Sequence, residues 1–182
     1  LNGHSDVICG FAVTKDEELG RQLAFIQNGF GAVLGPQDSW LVLRGLKTLK
    51  VRMEESQRSA VAVAGWLAGQ KRVPEVFFPG LSSHPGADVH ARQAVGPGAV
   101  LSFRLESVEL TRRLLEGSTL AAFAVSLGGV ESIISYPARM SHAAMPPAER
   151  AARGVTDTLV RLSVGLEEAD DLIAELDALI NG

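Results

Sequence analysis

The chain has 182 residues, 46% hydrophobic and 21% charged, with a formal net charge of −4. That length and apolar content suffice for a sizeable core in one domain, or in one small domain plus part of another. The mild acidity and the lack of a Lys/Arg run argue against nucleic acid as a partner. Gly or charge breaks every apolar run well short of the roughly 18 residues a membrane span needs. A single cysteine, Cys9, excludes an internal disulfide and points to a cytoplasmic protein.

The chain opens Leu1-Asn2-Gly3-His4-Ser5-Asp6, with no Met, no signal-peptide pattern and no capped first helix, so it reads as the middle of a domain. Val7–Thr14 reads as a buried strand. Asp16-Glu17-Glu18 then opens a helix to about Asn28, with acidic residues at its positive end. After a Gly-rich connection to Pro36, a helix over 37–46 leads into a long one over 47–70. The apolar stripe of that long helix is Leu49, Met53, Ala60, Val61, Ala64 and Leu67.

From Val73 the elements shorten. Strands are predicted over 76–78, 100–105, 122–127 and 131–136, with Leu101, Phe103 and Leu105 inward. Helices are predicted over 85–94, 106–115 and 147–152, and 138–144 is a polar loop. In Thr158–Glu167, Val160, Leu162, Val164 and Leu166 fall on one face of a strand, and Arg161, Ser163 and Gly165 on the other. A closing helix over 167–180 has acids at its N-terminus and a stripe of Leu172, Ile173, Leu176, Leu179 and Ile180. The pattern is mixed α/β, with a boundary near residues 46–50.

Several motifs invite chemistry. Gly29–Gly35 looks like a dinucleotide fingerprint, but it follows a helix and its last spacing is one residue too long, so it reads as an interhelical connection. His4-Ser5-Asp6 has the letters of a hydrolase triad, yet adjacent residues cannot meet in the required geometry. His84 and His90 flank Asp88, but Pro85-Gly86 interrupts the helix that would align them and no third His or Cys is near; no metal site is assigned.

Ser126-Leu127-Gly128-Gly129 places a serine and two glycines at a strand end, where backbone N–H groups can approach an anion. Arg161, on a rigid strand beside small residues, is either a solvated or salt-bridged surface arginine or a grip for a carboxylate. Together they sketch a small-acid pocket with no nucleophile, base or electron sink.

Six blocks extend this reading: Gly3–Asp6, Arg44–Leu49, Gly98–Leu105, Ser126–Ser132, Pro137–His142 and Arg161–Glu167. In collinear order across essentially all 182 residues, they resemble the Cys/Met-metabolism family of pyridoxal-phosphate (PLP) enzymes. Two longer runs, 28–35 and 135–146, resemble its cystathionine β-lyases of the Bacillus type.

The resemblance implies the end of the large domain of a fold-type I, aspartate-aminotransferase-like PLP enzyme (residues 1–48) and a complete C-terminal α/β domain (49–182). It implies that the Schiff-base lysine lies two residues before Leu1, so this chain alone is expected to be inactive. Cofactor and catalytic residues are then expected in the missing N-terminal part of the same protein. Substrate-binding roles fall to Arg161 and Ser126 at the α-carboxylate, Val125 where family members differ and many γ-enzymes carry Glu, and Ser141 near the pocket mouth.

The implied reaction is α,β-elimination of cystathionine to homocysteine, pyruvate and ammonia, within transsulfuration and methionine biosynthesis, by a cytoplasmic homotetramer. Alternatives are cystathionine γ-synthase, cystathionine γ-lyase or methionine γ-lyase of the same family. An alternative of another class is a non-catalytic small-acid-binding or interaction module.

Overall fold

The computed structural model describes residues 1–182. They divide into two compact units, Leu1–Leu49 and Lys50–Gly182.

The first unit is helical. Helix α1 (Glu17–Phe30) is capped by the Asp16 carboxylate, which accepts from the Leu19 N–H at 2.7 Å. It ends at Gly31 in the left-handed conformation. Helix α2 (Pro36–Leu46) starts with proline in its first turn, where the missing N–H costs nothing. The 7–14 segment is not a buried strand. Ile8 and Val13 are 99% and 93% exposed, and no strand pairs with the segment. A strand needs a neighbour for its backbone groups, and every strand of this chain lies in the second unit.

The second unit is a five-stranded sheet with helices on one face. The strands are β1 (Glu75–Phe77), β2 (Val100–Arg104), β3 (Ala122–Phe123), β4 (Ile133–Ser135) and β5 (Leu159–Ser163). Their spatial order is β1-β2-β5-β4-β3, antiparallel except for the parallel β3–β4 pair. Register sets the two faces apart, because Leu101 opposes Leu162, Phe103 opposes Val160, and Ile134 opposes Leu162. These residues are almost wholly buried.

The helices covering this face are α3 (Leu49–Ala68), α5 (Val108–Gly117) and α7 (Ala169–Asn181). They contribute Ala60, Val63, Ala64 and Leu67, then Leu110 and Leu114, then Leu172, Leu176 and Ile180 to the same core. The inward stripe of α3 also includes Arg52, Ser56 and Ser59, while Met53 and Val61 lie outside it. Leu166 is likewise exposed, since β5 ends at Ser163 and the pleat no longer governs it. The short helices α4 (Ala87–Gln93) and α6 (Pro147–Ala152) complete the unit.

One carboxylate fastens the turn after α5 to α7. Glu175 accepts from the Thr119 and Leu120 N–H groups at 2.7 and 3.0 Å, and from the hydroxyls of Thr119 and Ser118. Partial burial pushes its pKa up, but these donors outweigh burial and hold it below the ordinary glutamate value. A carboxyl depressed by folding stabilises fully above its unfolded pKa and loses that contribution as pH falls through the folded one. Glu175→Gln should therefore lower stability by about 1 kcal/mol at neutral pH, a figure kept small because the group is partly solvated. Denaturant titration should show that gap closing below pH ~4; an equal gap at pH ~3 would contradict the assignment.

Candidate active site

The second sheet face is different in kind. At one end Leu159 packs with Ala138 and Val155 in a small apolar cluster, with Phe77 and Tyr136 against it. In the middle Arg161 stands between Ser102 on β2 and Ser135 on β4, its direct cross-strand partners.

The Arg161 guanidinium is half-satisfied. Its Nη2 donates to the Ser126 backbone carbonyl at 2.7 Å, whereas its Nε is buried with no hydrogen-bond partner. The buried Ser135 hydroxyl, in register with it, also lacks one. An unpaired buried donor costs about 1–3 kcal/mol, so an acceptor beside it, from a ligand or a water, would stabilise the site. A carboxylate is the matching shape, because Nε and an Nη present parallel N–H bonds.

Ser126 is held rather than merely nearby. Its φ of 114° lies in the left-handed region that favours glycine, and it is one of two non-glycine residues there, with Ser5. That turn aims its carbonyl at Arg161. The loop continues as a ladder along β5 and its extension. Gly128 N–H donates to Ser163 Oγ at 2.8 Å, and Leu166 N–H to the Val130 carbonyl at 2.8 Å. Gly165 N–H donates to Ser132 Oγ at 2.9 Å, and Glu167 accepts from both the N–H and the hydroxyl of Ser132.

The expected 122–127 strand is accordingly only two residues long, as Arg161 and Ser163 take up the loop's polar groups instead of a neighbouring strand. Gly128's N–H, one of the expected anion donors, is already used by Ser163.

Val125 is 67% exposed beside Ser126. Ser141 is exposed on the 137–144 turn, with its hydroxyl 2.9 Å from His142 Nδ1, and it makes no hydrogen bond to Ser126 or Arg161. That turn is anchored by Tyr136, whose hydroxyl donates to the Asp157 carbonyl at 3.0 Å. Burial first, and the Asp157 charge second, raise the phenol's pKa and keep it a neutral donor. The two histidines of 84–90 do not converge, since His90 Nε2 bonds the Gly96 carbonyl at 2.9 Å. All four lysines, Lys15, Lys47, Lys50 and Lys71, are exposed. The Arg161 guanidinium thus has the geometry to bind a carboxylate, and none of these lysines sits in an enclosure suited to PLP.

The model of the Cys/Met metabolism PLP-dependent enzymes matches residues 1–181. The chain belongs to that family. It is 60% identical over 172 residues to cystathionine beta-lyase MetC of Bacillus subtilis, covering 94% of this chain and 44% of that protein. It is 48% identical over 178 residues to cystathionine gamma-synthase of Escherichia coli, covering 97% and 46%. The crystal structure of cystathionine gamma synthase from Xanthomonas oryzae pv. oryzae in complex with aminoacrylate and cysteine superposes with a TM-score of 0.94 at 46% identity. That match covers 99% of this chain and 47% of the other. The chain spans about half the length of the curated relatives it matches. Its mixed α/β sheet accords with the C-terminal domain of fold-type I PLP enzymes. No helix is long and apolar enough to cross a membrane.

Sequence reasoning missed Ser102, Ser135, Ser132 and Glu167. Only cross-strand register could have exposed the first two; Glu167 read as a helix-terminal acid. Gly165 passed as a small residue, yet a Cβ there would lie 2.3 Å from the Val130 carbonyl oxygen and 2.6 Å from Ser132 N. Both obstacles are backbone, which cannot step aside. Gly165→Ala should cost about 1–3 kcal/mol in urea unfolding by prising loop from strand; an unchanged midpoint would show that the contact is loose.

Proposed function

We propose that this chain is the carboxylate-binding part of a PLP-dependent carbon–sulfur lyase that eliminates homocysteine from cystathionine, leaving pyruvate and ammonia. The unpaired Nε of Arg161, with Nη2 already pinned by Ser126, is the observation that carries the reading. The similarity to the Bacillus subtilis β-lyase supports the β over the γ reaction.

Arg161 grips the α-carboxylate through parallel N–H bonds, and the Ser126 backbone fixes the guanidinium in its plane. With carboxylate and amino group both held, rotation about the substrate's Cα is frozen and one Cα bond is presented for cleavage. Val125 offers an apolar surface beside Ser126, and so no carboxylate for a substrate amino group to pair with. Ser141 lies toward the mouth. PLP, when bound, supplies the electron sink that makes the Cα proton acidic. Its Schiff-base lysine is assigned to the N-terminal part of the same protein, outside this chain.

That part is the proposed partner of the first unit, whose exposed Ile8, Val13, Phe25 and Phe30 await cover. A cytoplasmic homotetramer is the proposed assembly, in keeping with the family resemblance, and the exposed free thiol of Cys9 accords with a reducing compartment.

In the full-length enzyme, Arg161→Ala should lower kcat/KM for cystathionine by about a hundredfold or more while the bound cofactor's absorbance is unchanged. Unaltered turnover would remove Arg161 from the site. Pyruvate as the keto-acid product supports β-elimination, whereas 2-oxobutyrate would transfer the assignment to the γ-lyases. This chain alone should show no lyase activity; tight amino-acid binding by it in calorimetry, with no cofactor, would favour a binding module instead.

A further inference from the structure

We infer that Glu167 is a positioning residue for the substrate carboxylate, acting through Ser132 on the loop that aims Arg161. The inference rests on the reading of Arg161 as the carboxylate clamp.

The loop and strand form a zipper in which alternate residues meet: 126 with 161, 128 with 163, 130 with 166, and 132 with both 165 and 167. Ser126 closes one end in a strained conformation, which persists only where the surroundings over-determine it. Glu167 closes the other. Its Oε1 accepts the Ser132 N–H at 2.8 Å and its Oε2 accepts the Ser132 hydroxyl at 2.6 Å. That second bond orients the hydroxyl, leaving a lone pair for the Gly165 N–H at 2.9 Å.

Ser132 is fully buried, and its carbonyl accepts from the Ala122 N–H at 2.9 Å. Its N–H, hydroxyl and carbonyl are therefore all engaged, so the serine cannot shift without breaking several bonds at once. Removing the Glu167 carboxylate leaves a buried N–H and a free hydroxyl rotor at the base of the loop. Relaxation there moves the Ser126 carbonyl, and with it the plane of the Arg161 guanidinium. Glu167 touches no reacting atom, and its effect reaches the substrate only as misalignment of the clamp.

The test uses the full-length holoenzyme and two probes read from cofactor absorbance: an amino-acid substrate and its decarboxylated amine. Arg161→Ala serves as the reference. Glu167→Ala should weaken the amino acid by about tenfold yet change the amine by less than about twofold, the same selectivity as Arg161→Ala in milder form. Glu167→Gln retains one acceptor and should fall between Ala and the parent, and it decides the matter if Glu167→Ala does not fold. Adding Ser132→Ala to Glu167→Ala should cause little further loss, since both act through one bond pair. Equal weakening of both probes, or of neither, while Arg161→Ala keeps its selectivity, overturns the role of Glu167 alone. Loss of selectivity from Arg161→Ala itself overturns both assignments.

Discussion

Everything at this site depends on the ladder between the 126–132 loop and the strand carrying Arg161. Strand β5 sits at the centre of the sheet, paired on both edges, so its backbone is fixed by β2 and β4. Its inward side chains belong to the main core, and its outward side chains are free for other tasks. Arg161, Ser163 and the residues just beyond use that freedom to hold a loop with no strand partner for most of its length. The backbone of this central strand is paired on both sides, and the loop is hydrogen-bonded to it at alternate positions. Preorganisation of this kind is what a carboxylate clamp requires, since a small displacement at the reacting carbon is expensive.

The division of faces follows from polarity along single strands. Leu101 and Phe103 alternate with Ser102 and Arg104, and Val160 and Leu162 alternate with Arg161 and Ser163. One face is sealed by three helices. The other carries a small apolar patch at one end and polar groups in its middle, two of which lack partners within the chain. A buried arginine nitrogen without an acceptor is costly in any folded protein. Its place opposite a serine, also without a partner, is the observation behind the proposed carboxylate site.

Much of this is legible in the amino-acid sequence. The period-2 runs around Leu101 and Val160 place the central strands and their inward faces, and the apolar stripe of α7 emerges with Leu172, Leu176 and Ile180 buried. Hidden are the features that depend on partners distant in sequence. The 7–14 run is apolar enough for a strand, but a strand is a relation between two segments, and this chain supplies no second. The 122–127 run shortens for a related reason, because side chains of β5 claim the loop. Ser102 and Ser135 are ordinary as letters, and only the register that sets them on either side of Arg161 gives them meaning. Family resemblance supplies what local patterning does not, namely which of thirteen arginines to watch.

The first unit keeps large apolar side chains in the open, and the second keeps an unsatisfied cation in a prepared place. Under the proposed function both demands are met from beyond this chain, by a packing partner for the one and an acid for the other. The second demand is the central claim, and a crystal structure of the full-length enzyme with a bound amino-acid substrate tests it most directly. The α-carboxylate should lie within about 3 Å of Arg161 Nε and a second guanidinium nitrogen, with Nη2 still on the Ser126 carbonyl. A carboxylate bound elsewhere, with Nε still unpaired, would contradict it.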